Sequence, residues 1–207
     1  MITRRQMIKA SSAAFIGGIL PLKACAAWPK EKNKERIWPF RIAINTSTIS
    51  GYKLPVEQQI ELCVKAGYEG IELWVRDVQA FIDKGGKVED LASQIKGSGM
   101  QLDNMIGFAP WMTGEEGMEE MKKEMELSAR LGSKCIAATC FGLDSYSQNE
   151  MPVYSEKYRE LIEFGEELNI IPLIELWGHR ALSRLTDVTT IALGAHHRKA
   201  SLLLDFY

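Results

Sequence analysis

Residues 170–179 read IIPLIELWGH. A short apolar run of this kind, too brief for a helix, fits a strand covered on both faces. It runs without a break into Glu175, Trp177, Gly178 and His179. Residues of like parity share one side of a strand, so Ile171, Leu173, Glu175 and Trp177 form a single row. Glu175 then ends an inward row where the strand reaches solvent, and the rest of the chain decides whether that carboxylate is chemistry or packing.

The same motif recurs from Phe40 onward. Strand-like segments FRIAINTSTI, GIELWV, MQLDNMIGF, KCIAATCF, IIPLIELW and ASLLLDFY alternate with helix-like stretches near 55–66, 88–97, 115–131, 155–168 and 181–194. Pro55 stands at a helix start, and Gly67 and Gly132 stand at helix ends. Met118, Met121, Met125 and Ala129 share one helical face, a spacing that marks core filler. Strand markers Ile42, Ile71, Leu102, Ile136, Pro172 and Leu202 follow one another at steps of 29, 31, 34, 36 and 30 residues. Such regularity predicts successive βα units with parallel strands.

A doubly wound sheet and a (β/α)8 barrel both satisfy that spacing. The turn after the first strand, NTSTISGYKLP, lacks the glycine pattern that cradles a phosphate in doubly wound folds. Polar residues instead gather at strand ends: Asn45 and Ser47, Glu72 and Trp74, Asp103 and Asn104, Thr139, Glu175 and Asp205. That is the face on which barrel active sites are built. The chain stops at Tyr207, inside the sixth strand. The expectation is therefore a TIM barrel truncated within its sixth strand, lacking on the order of 60–80 residues of a complete one.

Glu175 and Asp205 end adjacent strands, and two such carboxylates repel unless a cation or a shared proton lies between them. Carboxylate oxygens with an imidazole suit Mn²⁺, Mg²⁺, Co²⁺ or Zn²⁺, and a metal there supports enediolate chemistry on a polyol-like substrate. Glu72 occupies an equivalent position, with ion pairing to Arg76 as the structural alternative; pairing with Arg180 is the alternative for Glu175. His179 directly follows the strand, whereas His196 and His197 precede the sixth strand and belong to the opposite face.

The bulk numbers exclude other classes. With 25 Lys and Arg against 27 Asp and Glu among 207 residues, the chain lacks the basic excess of a nucleic-acid binder. Four cysteines and three histidines are too scattered for a structural zinc site, and Cys135 and Cys140 sit in an apolar run as small core residues. The N-terminus is different in kind. Residues 1–26 combine a basic start, an apolar stretch and small residues, the layout of an export signal. TRRQMIK, with Arg4 and Arg5, resembles the twin-arginine pattern. Cleavage before Ala27 or lipidation of Cys25 would release the chain to the periplasm or tether it to a membrane facing that space. Residues 27–39 read as a linker, and residues 40–207 as the partial barrel.

The stretches AGYEGIELW, LIELWGH and LLLDFY together resemble the xylose-isomerase-like TIM barrels, a superfamily of sugar phosphate isomerases and epimerases. The resemblance implies a divalent metal held by Glu175, Asp205, a histidine ending strand seven and a glutamate ending strand eight. The last two have no counterpart in this chain, so the site is expected to be incomplete and the chain to fold poorly and lack turnover. It also implies Glu175 as a catalytic acid/base. We read Glu72, Trp74, Trp177 and His179 as contacts to a small sugar or polyol. The expected function is a metal-dependent isomerase or epimerase working through an enediolate. Two alternatives stand beside it: a dehydratase or lyase on a polyol, keto-inositol or oxidised glycoside, and a noncatalytic carbohydrate binder using Trp74, Trp111 and Trp177.

Overall fold

Parallel pairing runs without interruption through the computed structural model, which describes residues 40–178 and 181–205. The strands are β1 (Ala43–Asn45), β2 (Gly70–Trp74), β3 (Gln101–Ile106), β4 (Cys135–Thr139), β5 (Ile171–Glu175) and β6 (Ser201–Leu203). They lie in one sheet in sequence order, every neighbour parallel. Consecutive order with a crossover between each pair is the topology of a (β/α) barrel wall, and it removes the doubly wound alternative, whose strand order reverses. The expected export signal, the linker, Cys25 and His179 all lie outside the described residues.

Helices α1 (Val56–Ala66), α2 (Val75–Asp83), α3 (Val88–Ser98), α4 (Glu115–Leu131), α5 (Met151–Leu168) and α6 (Leu185–Gly194) supply the crossovers. Three of these, α1, α3 and α4, match expected helices closely, whereas α5 starts four residues before the expected 155 and α6 four residues after the expected 181. The first turn of α5 accepts Pro152, which needs no backbone donor there. The methionine stripe of α4 is buried, with Met118, Met121 and Met125 each under 5% exposed. Gly132 closes α4 at φ 98°, a left-handed conformation that lets its N–H reach Ala129 O and Ser128 O.

Two expectations need correction. Helix α2 goes unannounced in the sequence because Val75 and Arg76 continue the apolar run of GIELWV; the chain turns from strand to helix at Trp74 with no side-chain cap to mark the change. The long first strand is also wrong beyond Asn45. There the Asn45 side chain accepts the Ser47 N–H, and Thr46–Tyr52 wind into a 3-10 helix.

The core lies between strands and helices, centred on Ile71, Leu73, Met105, Ile136 and Ile174 from the sheet and Ile60, Leu91, Met121, Met125 and Leu161 from the helices. Tyr158 ties α5 to two strands at once: its hydroxyl donates toward Pro172 O at 2.8 Å and accepts the Ser201 N–H at 3.0 Å. Cys63, Cys135 and Cys140 are free thiols, and burial pushes Cys140 up to about 12, so it is an inert core residue. Among the described residues no helix is long and apolar enough to cross a membrane.

Candidate active site

The strand register sets the functional residues at one level. Asn45 stands opposite Glu72, Glu72 opposite Asn104, Thr139 opposite Glu175, and Glu175 opposite Leu203, two residues before Asp205. Between β2 and β3 the pairing slips. Ile71 faces Leu102 but Glu72 faces Asn104, leaving Asp103 as an extra residue on β3. This bulge separates the expected pair: Asn104 turns to Glu72, while Asp103 pairs with Arg41. Asp103 is therefore not part of the site.

Glu72 is held on both sides. Asn45 Nδ2 donates to Oε2 at 2.5 Å and Asn104 Nδ2 donates to Oε1 at 2.6 Å, while Trp74 Nε1 donates to Asn45 Oδ1 at 2.9 Å. Arg76 is not its ion-pair partner: that guanidinium lies 3.6 Å from Asp77 and stacks 4.1 Å from the Trp74 ring centroid. Burial raises the Glu72 carboxyl above its ordinary value, the two asparagines lower it, and the charges of Asp205 and Asp103 raise it again.

Glu175 is only 6% exposed, and its Oε2 is buried without a hydrogen-bond partner. Its carboxyl is pushed up to about 7, first by burial; a hydrogen bond from Trp177 works against the shift, and the charges of Asp205 and Glu72 add to it. Three strand-end carboxylates thus feel one another across the sheet. Such a grouping is stabilised by a cation, and its oxygen donors match a hard divalent ion. Among the described residues no three His, Cys, Asp or Glu side chains already form a ligand set. His197 lies away from the site, 3.8 Å from Glu166, in keeping with its expected place on the opposite face.

Aromatic side chains border the carboxylates. Phe108 is the hub, with ring centroids 5.0 Å from Trp74, 5.5 Å from Phe141 and 5.5 Å from Trp177. Trp74 and Trp177 thus share one aromatic group at the strand ends, from which Trp111 is absent. It is fully buried, its Nε1 donating to Thr139 O at 2.9 Å, so it belongs to the core. Sequence reasoning misses Phe108 and Phe141, although each closes a strand-like segment, the same signal that identifies Trp74. A further missed residue is Glu124 on α4. Its carboxylate accepts the N–H groups of Phe108 and Ala109 at 3.3 and 3.4 Å. A Cβ on Gly107 would fall 2.0 Å from Glu124 Oε2, so glycine is what admits the carboxylate to this turn. Burial pushes Glu124 up to about 7. Nothing in the sequence marks it, since it looks like one more polar residue flanking the methionine stripe.

Comparison with known proteins agrees with the fold. The family model described as xylose isomerase-like TIM barrel matches residues 60–207. The IolI protein with a bound zinc atom superposes with a TM-score of 0.68 at 18% identity, covering 76% of this chain and 60% of that one. D-psicose 3-epimerase in the presence of D-fructose gives 0.60 at 15% identity, over 77% and 61%. The 3-keto-D-glucoside 4-epimerase YcjR from E. coli gives 0.54 at 14%, over 67% and 59%. This chain thus spans about three fifths of the length of these structures, and at such identities the likeness concerns the fold. No curated protein matches the chain. Sequential parallel βα units, carboxylates at the strand ends and the family match lead to one statement: the chain belongs to the xylose isomerase-like TIM barrel family.

Proposed function

We propose that Glu175 and Asp205 are ligands of a divalent cation in an isomerase or epimerase that acts on a sugar or sugar derivative. The observation that carries this reading is the buried, unpartnered Oε2 of Glu175, set beside the charges of Glu72 and Asp205. An orphaned buried oxygen costs about 1–3 kcal/mol, and more when charged, which a bound cation would offset. Mn²⁺, Mg²⁺, Co²⁺ and Zn²⁺ all suit the donors, and when bound such an ion polarises a carbonyl and a neighbouring hydroxyl.

The chain's own groups supply the rest. Glu175 is the acid/base that takes a proton from the carbon beside the carbonyl, leaving an enediolate, and returns it. Glu72 is fixed by Asn45 and Asn104 and so offers its oxygens in one orientation to substrate hydroxyls. Trp74 and Trp177 offer ring faces to the apolar side of a sugar. Neighbours named as epimerases of D-psicose, L-ribulose and 3-keto-D-glucoside, and one that holds zinc, are in keeping with this reading, while one named as a probable 3-DHS dehydratase is in keeping with the dehydratase alternative. The twin-arginine-like leader further leads us to propose export to the periplasm.

Metal analysis tests the site. After equilibration with Mn²⁺ the chain should carry the ion, held weakly by Glu175 and Asp205, and Glu175→Gln and Asp205→Asn should each lower its metal content at least tenfold. Unchanged metal content in both variants would sink the assignment. In a protein that also carries the strand-seven histidine and the strand-eight glutamate, incorporation of solvent deuterium into D-fructose, followed by NMR, tests the chemistry; sugar binding with no exchange there points to the noncatalytic alternative. For export, replacing Arg4 and Arg5 with lysine should leave the protein in the cytoplasm, and unaltered fractionation would refute that part.

A further inference from the structure

Between α2 and α4 lies a cavity of about 820 Å³, within the roughly 300–1,000 Å³ typical of small-molecule sites. Val75, Ile82 and Leu127 form an apolar floor. Its boundary toward the carboxylates is shared, since Phe108 and Phe141 line the cavity and also belong to the aromatic group that includes Trp74 and Trp177. Arg76 is shared as well, lining the cavity while its guanidinium covers Trp74.

The polar lining narrows the class of ligand. Arg76 and Arg130 are ion-paired with Asp77 and Glu89, and Lys123 stands among Glu120, Glu124 and Glu126, so the walls carry no cationic excess. A site for a phosphate or a carboxylate would be cationic, and this one is not. Aromatic and aliphatic walls beside polar donors and acceptors suit a neutral polyhydroxylated ring, which has apolar faces and a hydroxyl rim. Glu124 accepts two long hydrogen bonds from the backbone and retains lone pairs for a hydroxyl.

We propose that this cavity is a second carbohydrate subsite, holding a neutral ring joined to the one that sits over Glu175, so that the substrate is a glycoside or disaccharide. The proposal rests on the sugar reading of the carboxylate site. Phe108 then stands between the two rings, and Glu124 orients it through the turn at Phe108 and Ala109.

Calorimetric titration of the metal-loaded chain with cellobiose, maltose and D-fructose tests this, beside Gln79→Trp and Glu124→Gln. Gln79 is an exposed cavity residue, so a tryptophan there fills the space without disturbing the core. At least one disaccharide should bind tenfold or more tightly than D-fructose. That advantage should fall below threefold in Gln79→Trp while D-fructose affinity holds, and Glu124→Gln should reduce it in part. D-fructose binding without a disaccharide advantage overturns the subsite alone, as does an advantage that survives Gln79→Trp. Failure of all three sugars to bind overturns the sugar reading and the subsite together.

Discussion

Replacing Glu124 by glutamine should change how stability depends on pH. The folded chain holds this carboxyl at about 7 against an ordinary 4.5, with burial as the leading cause. Between those values the folded state keeps a proton that the unfolded state has released, so stability falls as pH rises through the window. Below 4.5 both states are protonated and the contribution is fully present; above about 7 both are ionised and it has been lost. The gap, at 1.36 kcal/mol per pH unit, is worth about 3 kcal/mol. Glutamine is neutral throughout, and its carbonyl can still accept one of the two backbone N–H groups. Urea unfolding of both proteins at pH 5 and pH 8.5 isolates the effect, because Glu175 titrates in the same range in each and cancels. The variant should gain about 2–3 kcal/mol relative to the parent between the two pH values. A relative stability that stays within about 0.5 kcal/mol, or that moves the other way, would refute burial as the leading cause of the raised carboxyl.

Three further outcomes follow from the contacts. Tyr158→Phe removes the hydroxyl that joins Pro172 O to the Ser201 N–H, leaving buried groups unpaired; it should cost about 1–3 kcal/mol by urea titration and weaken metal retention by loosening β6 beneath Asp205. Phe108→Ala breaks three ring contacts, each worth about 0.5–1.5 kcal/mol, and should shift tryptophan emission to the red as Trp74 and Trp177 gain water; an unchanged spectrum would contradict the hub role. Asn104→Leu removes one of the two donors to Glu72 and should reduce sugar affinity in titrations more than it lowers the unfolding midpoint, whereas a loss of stability alone would mark Asn104 as purely structural.

The sequence by itself determined the repeat, the parallel order and the strand ends at which carboxylates gather. Those properties follow from local periodicity: strand parity put Glu175 on its row, and βα spacing put Glu72, Glu175 and Asp205 at one end of the sheet. Tertiary structure alone decided the rest. A single extra residue on β3 sent Asp103 to Arg41 and Asn104 to Glu72, because a bulge shifts parity and leaves no mark in composition. Trp111 went to the core while Trp74 and Trp177 stayed at the rim, since three chemically identical rings are sorted only by what packs around them. Glu124 joined the site from a helix 16 residues after Phe108, where only the approach of α4 to the Gly107 turn brings carboxylate and backbone together. IIPLIELWGH thus identified the carboxylate, and the packing of other elements around it decided which neighbours that carboxylate has.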